Sequence, residues 1–289
     1  MLARALDEWW DDLDQPDPYV VVEAGAGRGT LARSILTASP RCGLALRYVL
    51  VERAAVDPTP GLVFEPPELV LAAGARHHGP VVTALTEMPA LRFTGVVLAN
   101  ELLDNLPFRL FERAADEWLE VYVAEGRELL VPAGPPLALD APVGARLPLQ
   151  ELAGAWVRDA VGLLERGRLV VFDYTDTTAS MARRSWTEWV RTYRSHGRGG
   201  HPLDHPGEQD VTCEVAVDQL PVPTSQRTQA DFLRAHGVDV LVEEARAGWR
   251  ARAHVGDLEA LKERSRVGEG AALTDLAGLG GFTALEWLV

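Results

Sequence analysis

The side chains of this chain best placed to do chemistry fall at four separated positions: Glu23 with glycines 25, 27 and 29, then Glu52, then Asn100 with Glu101 and Asp104, and last Asp173. Each directly follows a short apolar run. Glycine tolerates positive φ and lets backbone come close to a ligand, and a helix beginning near Thr30 aims unpaired N–H groups at the same space. The stretch 20–30, Val-Val-Val-Glu-Ala-Gly-Ala-Gly-Arg-Gly-Thr, therefore reads as a buried strand that turns sharply into a helix around a ligand, with Ala26 inside the turn. An acid such as Glu52, closing a second strand, lies beside that turn and can accept both hydroxyls of a ribose. Any adenosine ligand is served by this arrangement.

A nicotinamide dinucleotide fingerprint places its third glycine at position 30, which is Thr30, and gives no reason for Glu23. Glu-x-Gly-x-Gly-x-Gly is instead the spacing of S-adenosylmethionine (SAM) sites, where no pyrophosphate is cradled and the acid helps position the amino-acid end of the cofactor. The plain structural alternative is a glycine turn flanked by two solvated or helix-terminal acids. Asn100 and Glu101 follow a fourth apolar run, 95–99, and in a parallel sheet ligands sit beyond the carboxyl ends of strands. That makes them the catalytic candidates, with Asp104 facing the same way if the stretch coils into a helical turn. The alternative is a capped turn before Pro107. Asp173 either serves substrate or caps the element that follows it.

The elements that must hold these groups are those of an α/β chain. Leu2, Leu6, Trp9 and Trp10 recur near helical spacing, Leu31 and Ile35 stand four apart on a helix ending before Pro40, and 48–51, 81–85 and 95–99 are strands. The end of 81–85, at Ala84 and Leu85, borders the adenine in this reading. Residues 57–67 read as a loop, 68–74 as a short helix, and His77 and His78 as loop residues. From 108 to 132 the pattern alternates with short turns, as in an antiparallel meander, and the prolines between 132 and 148 mark a surface loop, so that 108–148 is an appendage. A helix through Leu152, Trp156 and Val157 closes near Gly167, and 169–172 is a fifth strand. The segment 175–227 reads as a long irregular lid or binding loop. Its His196, His201 and His205 match no common zinc spacing. A helix over 228–236, a strand over 238–242, a helix over 256–264 and a strand over 282–289 then finish a seven-stranded sheet.

Composition narrows the function. The 289 residues are 47% hydrophobic, enough for one large α/β domain over 1–289. A formal charge of −14 opposes a phosphate-backbone partner, so nucleic acid is not expected and basic partners are favoured. Two distant cysteines, Cys42 and Cys213, make no disulfide framework. The N-terminal stretch is acidic and amphipathic, and no apolar run reaches membrane-spanning length, which points to a cytoplasmic protein without a membrane partner.

Taken together, EAGAGRGTLA, then GVVLANELLDNLPFRLF, then LVVFDY, then Tyr193-x-x-His196 leading to PGEQDVTCEV, and TQADFL before a glycine resemble the MidA-like methyltransferases, bacterial relatives of a mitochondrial complex I assembly factor. The resemblance implies a Rossmann-like seven-stranded methyltransferase sheet with helices on both faces and added elements. It implies SAM as cofactor, held by Glu23, Gly25, Gly27, Gly29 and Glu52, with Asn100, Glu101 and Asp104 between cofactor and substrate. The mitochondrial member methylates an arginine of a partner protein, so a protein substrate, arginine above all, is implied here. In two respects this chain departs from the family. The glycine turn begins 24 residues from Met1, where family members carry a further N-terminal segment, and the family's Asp-Tyr-Gly is Asp173-Tyr174-Thr175. Both bear on turnover more than on cofactor binding. The competing reading is a non-catalytic assembly protein that keeps the cofactor fold and grips a partner through 175–227.

Overall fold

Four apolar runs form the first strands, Tyr19–Ala24 (β1), Leu46–Val51 (β2), Val81–Leu85 (β3) and Phe93–Asn100 (β4). In the structure, a computed structural model describing residues 1–54, 60–70, 79–133, 139–194 and 197–289 apart from the Leu69 side chain, β1 and β2 are buried at every position. That is what continuous Val- and Leu-rich runs produce in a parallel sheet covered on both faces. Helices Leu2–Asp12 (α1), Thr30–Thr37 (α2) and Pro67–Val70 (α3) accompany them.

The chain divides into two compact units. The first comprises Met1–Asn100, Val161–Phe172 and Thr224–Val289. It contains the seven-stranded sheet, completed by Leu164–Asp173 (β9), Ser225–Thr228 (β15) and Thr283–Leu288 (β16), in the order β15-β16-β9-β4-β1-β2-β3. β1, β2, β3, β4 and β9 run parallel, and β15 pairs antiparallel with β16. Helices Gln229–Ala235 (α7), Val238–Arg252 (α8) and Leu258–Thr274 (α9) lie between β15 and β16 in the chain. Leu6 and Trp9 of α1, Ile35 of α2 and Phe232 of α7 share one core with Tyr19, Val21 and Phe172 of the sheet. Phe172 and Phe232 meet edge to face at 4.9 Å.

Across the three central strands backbone approaches backbone. A Cβ on Gly95 would lie 1.9 Å from the Val20 carbonyl oxygen, and one on Gly167 would lie 1.8 Å from the Gly95 carbonyl oxygen. Only glycine fits either position.

The second unit comprises Glu101–Ala160 and Asp173–Pro223. Arg109–Arg113 (β5), Trp118–Ala124 (β6), Arg127–Ala133 (β7) and Arg146–Leu149 (β8) form an antiparallel sheet in the order β7-β6-β5-β8, followed in the chain by Glu151–Gly162 (α4). Phe111, Trp118 and Leu147 form its core. Thr175–Asp176 (β10) pairs with Val215–Ala216 (β14), and Val190–Arg194 (β11) lies between Gly197–Arg198 (β12) and Asp210–Cys213 (β13). The short helices Thr178–Met181 (α5) and Trp186–Trp189 (α6) bury Met181 and Trp189 against Val190, Cys213 and Ala216.

Several expectations are corrected. Residues 238–242 are the first turns of α8, not a strand; the strand that pairs with β16 is Ser225–Thr228 (β15), which precedes all three late helices. The helix through Trp156 ends at Gly162, and Gly167 lies inside β9. The proline-rich loop contains β8, which pairs with β5. The segment 175–227 carries short strands and helices on either side of an irregular stretch over 199–209. His77, His78, His196 and residues 71–74 lie outside the described residues.

Candidate functional site

Register brings four strand ends of the first unit level with one another. Ala24 is paired with Val51 and with Ala99, and Val51 with Leu85. Glu23, Glu52, Ala84, Leu85 and Asn100 therefore stand along one edge of the sheet, its carboxyl edge. The N–H of Glu52 donates to the Leu85 carbonyl (3.0 Å), and the N–H groups of Gly25 and Ala26 both donate to the Val51 carbonyl (3.0 and 3.1 Å). Gly25, Gly27 and Gly29 have φ of 69°, 51° and 74°, and Gly29 is the N-cap of α2. A Cβ on Gly29 would meet the side-chain ends of Leu50 at 2.5 Å and Leu62 at 2.8 Å, which would have to shift, and its φ of 74° itself favours glycine.

The Glu52 carboxylate is built into this turn: Oε2 accepts the Gly27 N–H (2.9 Å) and Oε1 the Ala54 N–H (3.1 Å). Glu23 lies deeper. It is 5% exposed, its Oε2 accepts the Tyr48 hydroxyl at 2.7 Å, and its carboxyl also takes a backbone hydrogen bond from Ala32 in the first turn of α2. Burial pushes its pKa up to about 7, against the opposing pull of the two donors. Because the folded protein holds this proton more tightly than the unfolded chain, the associated stability is complete below about pH 4.5 and is lost as pH rises through about 7. The effect is on the order of 3 kcal/mol. Glu23→Gln is expected to flatten the pH dependence of the unfolding free energy between pH 5 and 8, measured by denaturant titration; an unchanged slope would show the carboxyl to be ionised throughout.

The turn after β4 belongs to the second unit. Leu103–Asn105 is one 3₁₀ turn, and Glu101 just before it has φ +48°, a left-handed conformation that is strained for a non-glycine residue. The Asn105 side chain donates to the Glu101 carbonyl (3.0 Å) and to Asp104 Oδ1 (2.8 Å). Tyr174 donates its hydroxyl to Glu101 Oε2 (3.1 Å), and the Arg191 guanidinium carbon lies 5.5 Å from the centre of the Tyr174 ring. Asp173, fully buried, takes the capping role: Oδ2 accepts the N–H groups of Leu103 (3.0 Å) and Asp104 (3.3 Å), and Oδ1 that of Tyr174 (2.9 Å). Asp104 is 3% exposed, and burial and the charge of Glu101 push its pKa up to about 6. The Asp173 carboxyl is pushed well up by burial and by Asp104. Sequence reasoning put Glu101 and Asp104 on one turn but missed Tyr174 as a partner; its place one residue after Asp173 was the available signal.

Three arginines of the segment 175–227 are neutralised inside the second unit. Glu214 receives Arg184 at 2.7 Å and Arg191 at 2.6 Å, Asp176 receives Arg184 at 2.6 Å, and Glu208 receives Arg194 at 2.5 Å. The ring of His201 packs edge to face on Trp186 at 5.5 Å, and its Nε2 lies 3.8 Å from Glu128. Among the described residues no group of three or more His, Cys, Asp and Glu side chains is arranged to hold a metal ion, and no helix is long and apolar enough to cross a membrane.

Three comparisons with known proteins bear on this geometry. The family described as S-adenosyl-L-methionine-dependent methyltransferase matches residues 1–236. The crystal structure of an uncharacterised superfamily protein from Burkholderia thailandensis is similar at a TM-score of 0.74 and 26% identity, over 100% of this chain and 78% of that one. A superfamily member from the same organism, bound to S-adenosyl-homocysteine, is similar at a TM-score of 0.73 and 26% identity, over 100% of this chain and 75% of that one. No curated protein matches.

Proposed function

Because this chain belongs to the family of S-adenosyl-L-methionine-dependent methyltransferases, as its MidA-like motifs imply, we propose that it methylates a protein side chain, with arginine the favoured acceptor. The observation that carries the acceptor reading is the strained Glu101 on one turn with the buried Asp104.

SAM is the cofactor, and it supplies an electrophilic methyl group on a sulfonium. The carboxyl edge fits it: three positive-φ glycines open the backbone, and an acid closes β2. In this assignment Glu52 would hold the ribose hydroxyls, Ala84 and Leu85 would border the adenine, and Gly25, Ala26, Gly27 and Gly29, with Glu23, would hold the amino-acid end. Asn100 closes β4 on the methyl side. An arginine guanidinium is protonated, planar and rich in donors, with no lone pair to spare, so paired carboxylates are the groups suited to hold and localise its charge. Glu101 and Asp104 supply that pair. Methylation of a guanidinium nitrogen releases one proton, and Glu101 would receive it.

Charge-assisted hydrogen bonds such as those assigned to Glu52 contribute roughly 1.5–3 kcal/mol. Glu52→Ala is therefore expected to weaken SAM binding by about tenfold to a few hundredfold, read by calorimetry. Unchanged affinity would remove Glu52 from the cofactor site. The acceptor is tested by incubating the protein with methyl-labelled SAM and a cell extract, then locating the label by mass spectrometry. Methylarginine is expected; label on another residue type, or only on small molecules, would overturn the arginine assignment.

A further inference from the structure

Besides the strand-end row, the first unit has a cavity of about 370 Å³ that reaches Asn100. Its apolar lining comes from α1, α2, β9, α7 and α9, with Leu31, Ile35, Phe172 and Leu233 among it. Its polar lining is Asn100, Ser34 and Gln229. The Ser34 hydroxyl already donates to the Thr30 carbonyl (2.9 Å), and the Gln229 amide to the Leu279 carbonyl (3.0 Å). No side chain among the described lining residues is charged; the ionisable group there is the α-amino group of Met1, whose pKa burial lowers.

This chemistry excludes the charged parts of the cofactor. A sulfonium, an ammonium or a carboxylate placed among Leu31, Ile35 and Phe172 would lose its hydration with nothing in return. The volume lies within the range of small-molecule pockets and exceeds the roughly 150 Å³ of an engineered apolar cavity that takes up benzene. It suits a ring or a branched aliphatic group. The cavity also ends at the residue that closes β4, on the same unit as the glycine turn.

We propose that this cavity receives a neutral apolar side chain of the methyl acceptor, so that the methylated residue lies within a few positions of an aromatic or branched aliphatic residue. The inference rests on the methyl-transfer reading and narrows the acceptor to a class of polypeptide. Fully burying such a side chain is expected to raise acceptor affinity by about tenfold to a hundredfold.

The test uses the full chain and the neutral fluorophore N-phenyl-1-naphthylamine as a probe of the cavity, with Ser34→Trp and Ala38→Trp as filling variants. Ser34 lies on α2 and Ala38 caps its C-terminus; both are exposed and line the cavity, so each ring can enter it without displacing core. Saturable binding at one site per chain is expected, weakened tenfold or more in both variants while thermal unfolding and SAM affinity stay unchanged. Peptides carrying arginine and phenylalanine should displace the probe, and their glycine-for-phenylalanine counterparts should not. Absence of saturable binding, equal binding by the filled variants, or no displacement by any phenylalanine peptide would each overturn the proposal. If phenylalanine peptides displace the probe equally well with or without arginine, the cavity assignment stands and the arginine reading falls.

Discussion

Glu101→Gln is expected to lower kcat/KM for methyl transfer by roughly a hundredfold or more while leaving SAM affinity within about twofold. Glutamine preserves the shape of the side chain but removes the charge proposed to hold a guanidinium and the basicity proposed to receive its proton. The backbone at Glu101 sits at φ +48°, and its carbonyl is tied by the Asn105 amide. The side chain is therefore aimed by a conformation that costs on the order of 1–3 kcal/mol, which the surrounding turn must offset. Tyr174→Phe, which deletes the hydroxyl donor to Glu101 but keeps the ring against Arg191, should give a smaller loss of about tenfold. Labelled-methyl transfer kinetics and calorimetry on the same preparations separate the two effects. If SAM affinity falls in step with kcat/KM, Glu101 belongs to the cofactor and not to the acceptor.

Gly95→Ala is expected to destabilise the protein by about 3 kcal/mol or more, or to prevent folding. The added methyl would lie 1.9 Å from a carbonyl oxygen of the neighbouring strand, and that oxygen belongs to backbone that cannot rotate away. Relief requires β1 and β4 to separate, which breaks the ladder that aligns Ala24 with Ala99. Gly43→Ala is the control. Nothing lies within 4 Å of its added Cβ, and a change within about 0.5 kcal/mol is expected. Denaturant midpoints decide: similar midpoints for the two variants would mean that the central strands are looser than their spacing indicates.

Strands β1 to β4 and the glycine turn were legible in the sequence because parallel strands covered on both faces are dominated by apolar residues, buried Glu23 and Arg47 being the exceptions in β1 and β2, and because left-handed turn positions favour glycine. The candidate site was legible for the same reason, since its residues are the first polar ones after each apolar run. Late in the chain that logic fails. Val238, Val240, Leu241 and Val242 form an apolar cluster as consistent with a strand as with a helix. Helix wins because Val238 and Ala245 fall on one buried face, and Glu243 to Arg246 continue with strong helix formers. β15, Ser-Gln-Arg-Thr, has no apolar alternation to announce it; it is an edge strand held by its ladder to β16 and by Arg227 on Glu286 at 2.5 Å. Asp173 could not be resolved from sequence because its capping targets, Leu103 and Asp104, are about seventy residues away in the chain.

The place of β16 between β9 and β15 has a consequence for synthesis. Of the seven strands it leaves the ribosome last, yet it is an interior one, with Ala284 and Leu285 fully buried. Until translation reaches it, β9 and β15 each present an unsatisfied edge, and the nascent sheet is open to pairing with other chains. A product truncated before Thr283 would thus lack an interior strand of the sheet while keeping every residue of the glycine turn, and it should collect in aggregates instead of persisting as a weakened enzyme.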